Sequence, residues 1–285
     1  MFNRFKFTMR IKLTTKMMLL IGSVTAAALT LTIIISSVMA SSMAKQEGLS
    51  KAQEIAHRYS NEVKAEIEVS LDTVRTLAQT FEGMRLSHTP SRKVMDSILK
   101  NVLEKDTRFT GVWTLWEPDA LDGRDSEFVD KPGHDSTGRY LPYWNRGSGS
   151  IQVEAIVDYE TGDFYNIPKN TGQETITDPY KYPISGKEVL MSSIVIPINH
   201  EDQFVGVAGI DVILDTFQQK IETIRPYETG YASLISNNGV YVADIDKQNI
   251  FKAITDDNVK AAIKSGNVYT YTGHSDFLGE QVYTV

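Results

Sequence analysis

The stretch MMLLIGSVTAAALTLTIIISSVMASSM, Met17 to Met43, contains no charged residue and is bracketed by Lys16 and Lys45. A helix needs about 20 apolar residues to cross a bilayer, so this stretch can span one even when tilted. Ahead of it stand Arg4, Lys6, Arg10, Lys12 and Lys16, with no acidic residue among them. Positive charge beside a span stays on the cytoplasmic side. Residues 1–16 are therefore read as a basic cytoplasmic N-terminus, 17–44 as a transmembrane helix, and everything after as exported. A cleaved signal peptide ending near Val38-Met39-Ala40 is the competing reading. Its apolar core would normally be about 7–15 residues, shorter than the stretch seen here.

Downstream, residues 45–84 keep a helical rhythm. Ile55, Tyr59, Val63, Ile67, Leu71, Val74, Leu77, Ala78 and Phe81 recur at three- and four-residue steps, and no proline interrupts them. A helix rising straight from a span suits a signalling stalk, and its apolar stripe suits dimerisation. Gly83 and Pro90 end it. A shorter amphipathic helix is expected over Ser91 to Glu104, with Val94, Met95, Ile98, Val102 and Leu103 on its buried face. The texture then turns to strand. Phe109 to Trp116, Ile151 to Tyr159, Val189 to Pro197 and Phe204 to Val212 are β-rich, the last two joined as a hairpin through Asn199 to Asp202. Glu117 to Arg139 reads as loop, and Leu214 to Ile224 as a helix stopping before Pro226. A second unit follows: strand, Asn-Gly turn and strand over Thr229 to Ala243, a helix over Asp256 to Lys264, and strands at Val268 to Thr272 and Gln281 to Thr284. The chain ends within that texture and is expected to be part of a longer receptor.

Composition narrows the function. The 285 residues carry a formal charge of −7, which disfavours a nucleic-acid partner. There is no cysteine, so disulfides, thiolate metal sites and cysteine nucleophiles are excluded. His57, His88, His134, His200 and His274 show no metal spacing, and Asp244-Ile-Asp246 lacks the rest of a calcium loop. Gly-x-Ser-x-Gly, Ser-x-x-Lys and Walker motifs do not occur. Neither a cofactor nor an enzymatic activity is expected.

Segments of the chain resemble a double Cache sensor domain of methyl-accepting chemotaxis proteins. They are Val112-Trp-Thr-Leu-Trp-Glu-Pro-Asp-Ala-Leu-Asp-Gly123, Gly138-Arg-Tyr-Leu-Pro-Tyr-Trp144, Thr177-Asp-Pro-Tyr180 with Gly186-Lys-Glu-Val-Leu-Met191, and Phe204-Val-Gly-Val-Ala-Gly-Ile-Asp211. The resemblance implies an α+β fold: a transmembrane helix, a long helix over 45–84, and two PAS-like α/β modules with antiparallel sheets. Residues 85–225 would form the membrane-distal, ligand-binding module and 226–285 the membrane-proximal one, truncated at its C-terminus. It also implies a homodimer in the bacterial inner membrane, a periplasmic sensor, and cytoplasmic signalling partners reached through a further C-terminal region. The same domain also serves histidine kinases and cyclases.

An amino-acid site needs a cation for the carboxylate and a carboxylate for the ammonium. Where amino-acid-binding relatives carry Arg-Pro-Trp-Tyr, this chain has Leu141-Pro-Tyr-Trp144, so the arginine position is Leu141. Arg139 and Arg146 are near in sequence, and strand alternation alone does not guarantee that either replaces it. Asp178 matches the family aspartate that receives the amine. All three tryptophans and several tyrosines crowd this region, and aromatic faces attract cations. The expected ligand is a small organic amine, quaternary ammonium included, held by Trp116, Asp122, Tyr140, Tyr143, Trp144, Asp158, Tyr165, Asp178 and Asp211. An amino acid is the alternative. Trp113 and Trp116 have opposite strand parity, so only one of them faces the pocket, and Trp116 is the choice made here.

Overall fold

The computed structural model describes residues 12–285 apart from positions 148, 202 and 276. The basic positions Arg4, Lys6 and Arg10 lie outside the described residues. The chain divides into two units, 1–55 and 56–285.

In the first unit the chain is helical from Leu13, the start of α1 (Leu13–Leu86). Its large apolar side chains are exposed, Leu19 at 62% and Ile33 at 67%, as a lipid-facing segment requires. Four of the polar residues within the apolar stretch, Ser23, Thr25, Thr30 and Thr32, bond to the helix's own carbonyls. The Thr25, Thr30 and Thr32 hydroxyls donate to carbonyls four residues back, at 2.8–2.9 Å. Hydrocarbon supplies no partners, so such internal bonds are what a spanning helix needs.

The second unit is built around one seven-stranded antiparallel sheet. Its strands are β1 (Gly111–Trp116), β2 (Pro142–Asn145), β3 (Gln152–Ala155), β4 (Thr175–Ile176), β5 (Tyr180–Ile184), β6 (Lys187–His200) and β7 (Gln203–Ile213). The order is β3-β2-β1-β7-β6-β4, with β5 also paired to β6. The expected hairpin is its centre, longer than the sequence indicated, turning at Glu201 with φ 50°. On one face lie the α1 residues Val74, Leu77 and Phe81 and the helix α2 (Arg92–Lys105). Ser91 caps α2, its Oγ accepting from the Val94 amide at 3.4 Å. The buried stripe of α2 is Arg92, Met95, Leu99 and Leu103. Ile98 and Val102 only flank it and Val94 is 48% exposed. The expected face was thus rotated: packing against the sheet selected the stripe containing Leu99 and the aliphatic stem of Arg92.

The other face carries a second apolar cluster, covered by α3 (Asp163–Thr171). This helix was not anticipated. Pro168 lies inside it, and the helix is only nine residues long, which leaves little periodicity to read. Gly172 ends it in the left-handed conformation, φ 65°. Strands β2, β4 and β5 were likewise not read as strands, because each is short. Strand β3 covers less of the segment than expected.

After α4 (Leu214–Thr223) come the hairpin of β8 (Leu234–Ile235) and β9 (Tyr241–Ala243), then α5 (Asp257–Ser265), then the hairpin of β10 (Tyr271–Ser275) and β11 (Glu280–Thr284). Asp256 caps α5 by accepting from the Asn258 and Val259 amides. The Gln218 side chain joins α4 to the end of β9. It donates to the Asp244 carbonyl at 2.8 Å and accepts from the Asp244 amide at 3.1 Å.

Candidate ligand-binding site

Asp211 sits on β7 between Gly111 of β1 and Ser193 of β6, the residues in register with it on either side. The glycine matters. A Cβ at Gly111 would stand 2.4 Å from the Tyr143 ring, and one at Gly209 would stand 2.3 Å from the Trp113 ring. Bare backbone at these two places lets both rings lie down against the sheet beside Asp211.

The carboxylate is 2% exposed. Its Oδ1 accepts from Trp113 Nε1 at 3.1 Å and from Ser193 Oγ at 2.5 Å. Ser193 has one proton, and it goes to Asp211, so the Tyr180 hydroxyl 2.6 Å away donates to Ser193. Burial pushes the Asp211 carboxyl up to about 6, against the pull of the Ser193 and Trp113 donors. Among the described residues, no cationic side chain forms an ion pair with Asp211, whose side-chain donors are Trp113 and Ser193. Burial, reinforced by the Asp211 charge, drives the Tyr143 and Tyr180 phenols well above their ordinary range.

Aromatic rings complete the surroundings. Phe164 of α3 meets Trp113 edge-on at 5.6 Å and stacks on Tyr180 at 5.7 Å. Tyr182 meets Tyr143 edge-on at 5.5 Å, and its hydroxyl accepts from the Val157 amide at 3.0 Å. A buried carboxylate set among aromatic side chains is a region of negative potential, suited to a positive ligand.

Residues 95–219 match the family model described as methyl-accepting chemotaxis protein-like, first PDC sensor domain. The solved extracellular domain of mmHK1S-Z2, named as a histidine kinase, is 34% identical with a TM-score of 0.75, covering 83% of this chain and 90% of that one. The chain belongs to the PDC, or Cache, sensor-domain family. This family is non-catalytic in this region. Methyl-accepting chemotaxis protein TlpQ of Pseudomonas aeruginosa is 30% identical over 135 residues, 42% of this chain and 19% of that protein. The chain thus spans about a fifth of the length of the curated relatives it matches. The ligand-binding domain of the Pseudomonas aeruginosa amino-acid chemoreceptor PctB, in complex with L-Gln, shares the fold at a TM-score of 0.54 and 18% identity, covering 79% of this chain and 78% of that one.

The residues expected to line one pocket of this PDC domain do not converge. Tyr143 and Asp211 belong to the aromatic site. Tyr165 is at its margin, its hydroxyl hydrogen-bonded to Glu117 and receiving Arg139 Nη2 at 2.7 Å. Trp116, Tyr140 and Trp144 lie on the opposite, helical side of the sheet. The parity argument held, but Trp113 rather than Trp116 is the tryptophan beside Asp211. Strand pairing decides this, because Trp113 shares a face with Asp211's neighbour Gly209. Asp122 is bound to Arg92 at 2.6 Å in a buried knot that also takes in Asp125. Asp158 is exposed with φ 55°, and its carbonyl accepts from the Gly162 amide ahead of α3. Asp178 accepts from Asn238 Nδ2 at 3.0 Å, at the Asn-Gly turn between β8 and β9.

Of the residues around Asp211, Trp113 was weighed against Trp116 and set aside, Phe164 was counted among the aromatics of the region but not chosen, and Tyr180, Tyr182 and Ser193 were not singled out. The alternation Tyr180-Lys-Tyr182 was a usable signal, since residues two apart in a strand share a face. The arginines are committed elsewhere. Arg146 donates to the Leu103, Phe109 and Asp106 carbonyls, closing the end of α2. Arg139 is buried, donates to the Trp116 carbonyl and lies 3.6 Å from Glu117. Leu141 is fully buried in the second apolar cluster.

Proposed function

We propose that this chain is the extracytoplasmic sensing part of a membrane-anchored chemoreceptor and that it binds a small organic amine, quaternary ammonium included, at Asp211. The observation that carries the reading is a buried carboxylate that, among the described residues, forms no ion pair, in a cluster with Trp113, Tyr143, Phe164, Tyr180 and Tyr182. Each ring face offers a cation about 0.5–2 kcal/mol. The ammonium would also supply the counter-charge that Asp211 lacks. With Leu141 apolar and Arg146 engaged on α2, a ligand carboxylate has no ready partner at the centre of the site.

In this reading residues 17–44 anchor the protein in the inner membrane, with the basic N-terminus inside. Residues 85–225 form the distal ligand-binding module, 226–285 the proximal one, and the helix over 45–84 pairs with that of a second copy. Ligand favours one conformation of the distal module, and a differential of about 1–3 kcal/mol suffices for signalling. A second reading, an amino-acid ligand, draws on the PctB likeness and on Arg139, whose guanidinium lies 4.8 Å over Tyr159 and 5.4 Å over Tyr165 at the margin of the site. A histidine-kinase output is the variant favoured by the mmHK1S-Z2 likeness.

Calorimetry on the chain in lipid nanodiscs, with tetramethylammonium, choline, alkyl diamines and amino acids, separates these. Binding of amines lacking a carboxylate supports the proposal. Binding of amino acids and of no amine, retained in Asp96→Asn and lost in Asp211→Asn, transfers the role of second anchor to Arg139 and overturns the amine reading.

A further inference from the structure

On the helical side of the sheet, away from Asp211, α2 and the loop from Phe128 to His134 border an open cleft of about 360 Å³. Trp144 and Phe128 give it apolar walls. Lys93, Asp96 and Lys100 face it from α2, at the three- and four-residue spacing that places side chains on one side of a helix.

Two acceptors in the cleft are incompletely used. The Oδ1 atom of Asp96 accepts from Trp144 Nε1 at 3.1 Å and from Tyr140 Oη at 3.2 Å. Among the described residues, no hydrogen bond or ion pair reaches its Oδ2. His134 is 8% exposed, its ring stacked on Phe128 at 5.0 Å. Its Nδ1 lies 2.9 Å from the Pro132 carbonyl, which can only accept, so Nδ1 holds the proton. Burial pushes the His134 pKa down, so the ring is neutral and Nε2 presents a lone pair. That Nε2 is buried without a hydrogen-bond partner. A native protein rarely leaves such an atom unmatched unless a ligand or water supplies the donor.

At the rim the chemistry reverses. Lys93 and Lys131 are exposed cations that form no ion pair among the described residues, while Lys100 leans on Glu104 at 3.7 Å. A plain anion would meet the Asp96 charge and the His134 lone pair. A plain cation would meet the lysines. One molecule carrying both charges satisfies both halves. We propose that this cleft is a second ligand site, for a small amino-carboxylate whose ammonium donates to Asp96 and His134 Nε2 and whose carboxylate meets Lys93 and Lys131. The carbon chain between the charges packs on Trp144 and Phe128. The site is chemically distinct from the one at Asp211, where among the described residues the buried carboxylate forms no ion pair and is held by Trp113 and Ser193.

The two sites are tested separately on the whole chain in nanodiscs. Glycine, L-alanine and γ-aminobutyrate probe the cleft by calorimetry, with butylamine and butyrate as single-charge controls and tetramethylammonium as the probe for Asp211. At least one amino-carboxylate is expected to bind, and the controls at least tenfold more weakly. Asp96→Asn, and separately the surface double variant Lys93→Glu with Lys131→Glu, are each expected to weaken that binding tenfold or more while leaving tetramethylammonium affinity unchanged. With 15N-labelled histidine, the Nε2 resonance of His134 is expected to move on adding the amino-carboxylate and not on adding tetramethylammonium. The inference is overturned if no amino-carboxylate binds, or if its binding survives Asp96→Asn and is lost in Asp211→Asn. Loss of tetramethylammonium binding alone would count against the Asp211 reading and leave the cleft standing.

Discussion

Trp113 Nε1 donates to Asp211 Oδ1 at 3.1 Å across the β1–β7 pair, and both side chains are buried. An indole and a carboxylate so joined give a negative charge fixed by an in-plane N–H donor. The charge is held by neutral donors alone, and that arrangement is costly in the absence of a cation.

The first prediction concerns that cost. Asn in place of Asp211 keeps an oxygen for Trp113 and Ser193 but removes the buried charge. Asp211→Asn is therefore expected to stabilise the unliganded protein at pH 7.5, by up to about 3 kcal/mol from the displacement of its pKa from 3.8 to about 6. It is also expected to reduce amine affinity at least a hundredfold. Chemical denaturation and calorimetry on the same samples read both.

The second follows by linkage. An acid whose folded pKa lies above its unfolded value binds more protons when folded. Its contribution to stability is therefore lost as pH rises from about 4 to about 6 and is constant above. The difference in stability between wild type and Asp211→Asn should grow across that window and level off above it. Tetramethylammonium, which does not titrate, should bind with pH-independent affinity above about pH 7 and lose roughly tenfold per unit well below 6. A flat profile down to pH 4.5 would remove Asp211 from the ligand.

Gly209 offers a steric test. Its missing Cβ leaves room for the Trp113 ring, which a methyl would meet at 2.3 Å. Gly209→Ala should destabilise by about 1–3 kcal/mol, as overpacking does, and displace the indole from Asp211. Trp113 fluorescence, read in a Trp116→Phe, Trp144→Phe background, would shift if the ring moves.

Asp178 accepts from Asn238 Nδ2 at 3.0 Å. Asp178→Asn is expected to change amine affinity less than about threefold, because an exposed or half-exposed polar pair contributes little. A sharp loss in titration calorimetry would return the amine anchor to Asp178.

The Arg92 knot should matter to stability and not to the Asp211 site. Its guanidinium holds Asp122 and Asp125, both at 2.6 Å, and lies 4.2 Å over the Phe128 ring. Arg92→Ala strands two carboxylates and is expected to cost about 3–5 kcal/mol, with tetramethylammonium affinity unchanged in the fraction that remains folded. Urea unfolding with calorimetry checks both halves.

What the sequence determined by itself was everything set by local pattern. The uncharged run from Met17 to Met43 defined a helix able to span a membrane, the repeat through Val74, Leu77 and Phe81 defined the buried stripe of α1, and the β-branched runs around Asn199 to Asp202 defined the central hairpin. These signals are written in neighbouring residues and survive without knowledge of the rest. Tertiary structure alone decided which side of the sheet each aromatic faces. Strand β2 puts Tyr143 and Trp144 on opposite faces, and β1 does the same to Trp113 and Trp116, so a crowd of aromatics in sequence became two separate sets in space. It also decided that Asp122 and Asp178 have partners of their own, Arg92 and Asn238, thirty and sixty residues away. A carboxylate's role depends on what stands opposite it. For Asp211 that is Trp113, ninety-eight residues distant and brought alongside by β-pairing.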